Sequence, residues 1–188
     1  MLSETQNIII DCNYKFNEAI QGTTAPKEII DNLILLDVEY YSFDNKLHRG
    51  QLVIHKNLKD DIQYIFNLIK NKKFPIEKVI PIVKYNWSDD ASMADNNTSA
   101  FNYRKVAGKN SLSNHSFGIA IDINPFQNPA IYSDGTISPK GASYNTKKAG
   151  TIDEKSFITI EFKKLGWTWG GDWNSLKDYQ HFQKVMKE

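Results

Sequence analysis

Two short stretches in the C-terminal half hold the residue types of a hydrolytic metal centre. The first, Ser113-Asn114-His115-Ser116-Phe117-Gly118-Ile119-Ala120-Ile121-Asp122, sets a histidine and a carboxylate seven residues apart. The second runs from Trp169-Gly170-Gly171-Asp172-Trp173 to Asp178-Tyr179-Gln180-His181-Phe182, with a carboxylate three residues before a histidine. Three protein ligands, one open position and a nearby carboxylate are what a catalytic zinc site requires. A loop leading into a strand can present His115 and Asp122 to one ion. If His181 is a further ligand, Asp178 is near enough to take a proton from an activated water while that water attacks a carbonyl. Each piece alone also fits a plain role: a hydrogen-bonded core histidine, a strand-end aspartate, a local salt bridge at Asp178, a packed ring at 181.

The elements that must carry these residues can be read from apolar spacing. Residues 1–25, polar apart from the apolar cluster Ile8-Ile9-Ile10, read as an extended arm that packs on the body. Thr23 or Thr24 would cap a helix near Pro26, with Ile29, Ile30, Leu33 and Leu36 on one face. Val38 to Phe43 and Gly50 to His55 predict a hairpin, and a helix capped by Asn57 should follow to about Lys72. Val79 to Tyr85 reads as a strand and Asp89 to Ser99 as a polar loop. In Gly118 to Ile123, Ile119, Ile121 and Ile123 share one strand face while Ala120 and Asp122 face the other way, as a site would need. Residues 124–150 form a long loop with room for a short hairpin, and Asp153 would cap a helix to Leu165. The pattern predicts an α+β fold, a single domain with a central, mostly antiparallel sheet and flanking helices. Residues 1–75 would be an N-terminal extension packed on a catalytic core at 76–188.

Bulk properties narrow the classes. A chain of 188 residues can bury a core without disulfides, and Cys12, the one cysteine, excludes an intramolecular bridge. A net charge of +1 gives no electrostatic case for nucleic acid. No apolar run approaches a membrane span, and a monomer is expected. Met1 to Gln6 lacks the basic and apolar regions of a signal peptide, so the expectation is either a cytoplasmic chain or one whose numbering begins after a removed export segment. Arg104 can hold a substrate carboxylate or a developing oxyanion. Trp167, Trp169 and Trp173 read as core and cleft wall. His48 and His55, with no carboxylate pattern beside them, read as structural.

These motifs resemble the zinc peptidases of peptidoglycan, on the fold shared with the hedgehog signalling domain. That family includes VanY-type D-Ala-D-Ala carboxypeptidases, D-Ala-D-Ala dipeptidases and L-Ala-D-Glu endopeptidases of phage. Ser113, His115, Gly118, Ala120 and Asp122 match the family pattern S-x-H-x-x-G-x-A-x-D. Asp178 and His181 match its acidic residue three before a ligand histidine, and the Trp169–Trp173 run and Ser99–Arg104 are similar too, over roughly 79–184. The resemblance implies zinc held by His115, Asp122 and His181, with Asp178 as general base. Arg104 would contact the substrate or oxyanion, and Ser113 would hydrogen-bond the substrate unless it serves only as a backbone cap. The implied reaction is cleavage of peptidoglycan stem peptides outside the cytoplasm, in periplasm or wall. Dipeptidases carry glutamate and two tryptophans before the last histidine; Asp178-Tyr179-Gln180 points instead to a D-alanyl-D-alanine carboxypeptidase, with an L-alanyl-D-glutamate endopeptidase as the alternative. A non-catalytic, zinc-stabilised wall-binding module is a further alternative.

Overall fold

The computed structural model describes residues 7–186, so the start read for an export signal, Met1 to Gln6, lies outside the described residues. The N-terminal arm contributes a short strand β1 (Ile9–Ile10), then two single-turn helices, α1 (Phe16–Ala19) and α2 (Lys27–Ile30). Pro26, not a threonine, stands at the N-cap of α2. The helix stops at Ile30, and Leu33 already begins strand β2 (Leu33–Tyr41), which forms a nine-residue antiparallel hairpin with β3 (Leu47–His55). Period two explains why Leu33 and Leu36 belong to no helical face. Leu33 and Leu35 join a small cluster with Ala19, Val53 and Phe101, whereas Leu36, Val38 and Tyr40 enter the main core from the opposite side. A strand buried on both faces shows no polar alternation, so its apolar residues can fall at helical spacing by accident.

Helix α3 (Lys59–Asn71) buries Ile62, Ile65, Phe66 and Ile69, each stabilising by about 2 kcal/mol on burial. It follows a 3-10 turn at Lys56–Leu58, where the His55 ring rather than Asn57 supplies the cap, accepting from Asn57 N at 3.2 Å. The expected strand at 79–85 is only β4 (Lys78–Val79). Pro81 ends it, and a 3-10 turn at Ile82–Tyr85 follows. The expected polar loop begins with helix α4 (Asp89–Ala94), capped by the Ser88 hydroxyl, and ends in β5 (Asn97–Thr98).

The remaining elements are β6 (Ala120–Asp122), the hairpin β7 (Ala130–Tyr132) and β8 (Ile137–Ser138), and α5 (Phe157–Lys164), capped by Ser156 and not Asp153. Then come β9 (Thr168–Trp169), β10 (Leu176–Asp178) and β11 (His181–Gln183). The α+β class holds. The strands form three small sheets, β1-β3-β2, β10-β7-β8 and β6-β11-β9, with β4 and β5 as a separate pair. Among the described residues only β1–β3 and β4–β5 run parallel. One core joins them: Val38, Leu52 and Ile54 from the hairpin meet α3, Ile121, Phe162, Trp169 and Phe182. Among the described residues no helix is long and apolar enough to cross a membrane.

Candidate metal centre

Ser113 opens the site. Its hydroxyl accepts from His115 N at 3.3 Å and starts a 3-10 turn over Asn114–Phe117. Gly118 ends the turn at φ +64°, its carbonyl accepting from His55 N at 2.9 Å. A Cβ at 118 would stand 2.7 Å from both His55 N and Leu33 Cδ2, so glycine serves the close approach to the hairpin here. The chain then enters β6, whose antiparallel partner β11 sets His181 directly opposite Asp122.

Three donor atoms therefore converge. His181 Nδ1 lies 2.9 Å from Asp122 Oδ1, His115 Nε2 lies 3.2 Å from Asp122 Oδ2, and the two ring nitrogens are 3.2 Å apart. All three residues are buried, and their ligand atoms fall within 4.8 Å of one another. On its other side His115 Nδ1 faces the Ala100 carbonyl at 2.5 Å. That acceptor keeps a proton on Nδ1 and turns the Nε2 lone pair toward Asp122 and His181. Atoms of this kind meeting at one point need a cation among them, a metal ion or, in its absence, a proton on His181, and two imidazoles with one carboxylate suit zinc. Electrostatics agree. Burial alone would raise the Asp122 carboxyl, but the two imidazoles hold it well below the carboxylate range. Burial alone would lower His181, yet the hydrogen bond and charge of Asp122 push it up to about 9.

Asp178 ends β10, and a turn at Tyr179-Gln180 leads into β11. The two strands lie in different sheets, β10 on β7 and β11 between β6 and β9, so the chain turns at a sheet junction where a single flat strand would oppose the two side chains. The tryptophan–glycine run holds this turn. Trp169 Nε1 donates to the Tyr179 carbonyl at 2.9 Å, and Lys177 Nζ to the Gly171 carbonyl at 3.0 Å. A Cβ at Gly170 would lie 2.4 Å from the Asp178 carbonyl oxygen. Asp178 Oδ1 is shielded from solvent and has no hydrogen-bond partner, and burial pushes the carboxyl up to about 6.

Asp178 and His181 line a cleft of about 600 Å³, together with Arg104, Ser113, Tyr132 and Trp173. The cleft thus gathers the residues singled out from the sequence: His181, Asp178, Ser113 and Arg104 on its walls, with His115 and Asp122 behind them. Arg104 pairs with Asp89 at 2.9 Å, and its Nε is buried without a partner. Asn102 Nδ2 also reaches Asp89, at 3.3 Å. Sequence reasoning missed Asp89, whose signal was only its place in the first turn of an unrecognised helix. The Trp173 ring stands 5.2 Å from the His181 ring as cleft wall, and Trp167 and Trp169 are core. Outside the cleft, His48 does meet carboxylates, Asp11 at 2.8 Å and Asp44 at 3.3 Å, which approach from other strands and turns. Cys12 is half-buried against the Val79 carbonyl, and burial pushes its thiol up to about 11.

No solved structure matches the chain. Residues 107–184 match a family model described as D-alanyl-D-alanine carboxypeptidase, and this match bears out the resemblance carried by Ser113–Asp122 and Asp178–His181.

Proposed function

We propose that the protein is a zinc-dependent peptidase acting on peptidoglycan stem peptides, most simply as a D-alanyl-D-alanine carboxypeptidase. One observation carries this reading: three candidate ligand atoms converge behind a cleft that His181 lines together with Asp178, a carboxylate whose Oδ1 has no partner in the protein. His115, Asp122 and His181 would hold the ion. Bound there, zinc supplies a Lewis acid that polarises a carbonyl and acidifies water.

The chain's own groups account for the rest. Asp178 is the general base: its free Oδ1 removes a proton from the attacking water and returns it to the leaving amine. Burial raises its affinity for that proton toward the working range, at the cost of an ionised form with poor solvation. Arg104 offers its unpartnered Nε–H to the substrate's carboxylate or carbonyl oxygen, while Asp89 holds Nη2 and the Lys105 carbonyl stands 3.5 Å from Nη1. Ser113 spends a lone pair on capping and keeps its hydroxyl proton for substrate. Trp173 and Tyr132 wall the stem peptide. The protein would work outside the cytoplasm, as a monomer.

Digestion of purified muropeptides with intact pentapeptide stems, with and without zinc, tests this by mass spectrometry. Zinc-dependent loss of one terminal alanine is the expected result. A cut between L-Ala and D-Glu would replace the carboxypeptidase by the endopeptidase, and no cleavage by folded, zinc-loaded protein would leave a wall-binding module.

A further inference from the structure

In β11, strand periodicity puts His181 and Gln183 on one face and Phe182 on the other, in the core. Across the ladder Asp122 stands opposite His181, and Ala120 opposite Gln183. Beside that small methyl the Gln183 side chain turns back along the strand. Its Oε1 accepts from His181 Nε2 at 2.9 Å and from Asn114 Nδ2 at 2.6 Å. Asn114 neighbours His115, so this bridge joins the two segments that carry the candidate ligands.

The chemical consequence concerns which nitrogen of His181 faces the ion. A neutral imidazole has one protonated nitrogen and one lone pair. With an ion bound, an acceptor at Nε2 would keep the one remaining ring proton there and leave the lone pair on Nδ1, the atom that faces Asp122 and His115. The Ala100 carbonyl does the same for His115 from the opposite nitrogen. Asn114 matters because its amide donor holds the Gln183 oxygen, so that the glutamine's own NH2 is not turned toward the ring.

We propose that Gln183, held by Asn114, is a positioning residue for the metal centre: its amide oxygen fixes the tautomer and plane of the His181 ring so that Nδ1 ligates. The inference rests on His115, Asp122 and His181 being the ligands. Its test is zinc affinity by chelator competition, with long-range 1H–15N NMR of the histidine rings in zinc-loaded protein, for wild type, Gln183→Leu and Gln183→Glu. Leucine removes the acceptor at similar size, whereas glutamate keeps it. Gln183→Leu should lose about ten- to a hundredfold in affinity, the range usual for partners that orient a ligand, and should lose the slowly exchanging Nε2 proton. Gln183→Glu should keep both. A merely structural role would shift thermal melting and leave the affinity and the ring proton of folded protein unchanged. Wild-type affinity in Gln183→Leu, or a wild-type His181 ligated through Nε2, would overturn this inference alone. Failure of the wild type to take up zinc would overturn the metal-centre reading and this inference with it.

Discussion

On the wall built by β6 and β11, His115, Asp122 and His181 each meet at least two polar partners, and β11 is paired on both sides. On the facing lip, Arg104 Nε and Asp178 Oδ1 are buried with none. An unpaired buried polar atom costs about 1–3 kcal/mol, so the lip carries a cost that the ligand wall avoids. The difference separates two tasks. A small ion needs donors held in place before it arrives; a peptide needs donors and acceptors left open for it. Removal of a wall residue should therefore abolish metal uptake, while changes on the lip should spare uptake and alter turnover or stability.

The largest effect is expected on the wall. Asp122→Ala or His181→Ala should weaken zinc well beyond the roughly 100-fold typical of residues that only orient a ligand, and turnover should vanish with the metal. Titration against a chromogenic chelator measures the first, muropeptide digestion the second. Undiminished zinc binding in Asp122→Ala would erase the distinction between wall and lip.

Asp178→Asn should lower turnover by about 10²–10⁴ while zinc affinity stays close to wild type. The same change should stabilise the metal-free protein, and the sign follows from burial. With its folded value raised from 3.8 to about 6, Asp178 holds a proton in the folded form that the unfolded chain has already lost. Stability therefore falls as pH rises through that window, by at most about 1.4 kcal/mol per pH unit, and the full cost is present above it. Asparagine carries no such cost. Urea unfolding should show Asp178→Asn more stable than wild type at pH 7–8, with the advantage gone below pH 4. The turnover of the wild type should fall as pH drops through about 6 or lower, since a bound cation beside Asp178 favours its ionised form.

Gly170→Ala strikes the support of the lip. The new methyl would sit 2.4 Å from the Asp178 carbonyl oxygen, a backbone atom that cannot swing away. A loss of about 1–3 kcal/mol is expected from overpacking, read as a lower urea midpoint. Turnover should fall with it as Asp178 shifts, while zinc affinity is retained. A parallel fall in zinc affinity would show that the β10 turn and the ligand wall move as one body.

How far the sequence announced this division depends on separation along the chain. His115 and Asp122 lie on one turn-and-strand, so their chemistry and spacing are legible together, as are Asp178 and His181 across one turn. The α+β class and the β2–β3 hairpin were legible from β-branched residues around a turn. The helical face drawn through Ile29, Ile30, Leu33 and Leu36 fails because β2 is buried on both sides. The strand at 79–85 fails at Pro81, and the loop at 89–99 hides a helix whose cap, Ser88, lay just outside it. The Arg104–Asp89 pair and the Asn114–Gln183 bridge join residues fifteen and 69 positions apart, and no local periodicity encodes such contacts.

That pair supplies the smallest expected effect and the sharpest use of the comparison. The Arg104 guanidinium is flat and forked, so Asp89 can hold Nη2 while Nε–H stays unpartnered beside the cleft that Arg104 lines. Lysine keeps the charge and can still meet Asp89, but its ammonium cannot serve both sides in one plane. Arg104→Lys should therefore raise KM about tenfold, the worth of one charge-assisted hydrogen bond, with kcat nearly unchanged. Zinc affinity should not move, and the urea midpoint should rise slightly, because lysine removes the buried Nε–H that has no partner. A fall in kcat equal to the fall in kcat/KM would instead place the guanidinium on the charge that develops in the transition state, and so next to the reacting carbonyl.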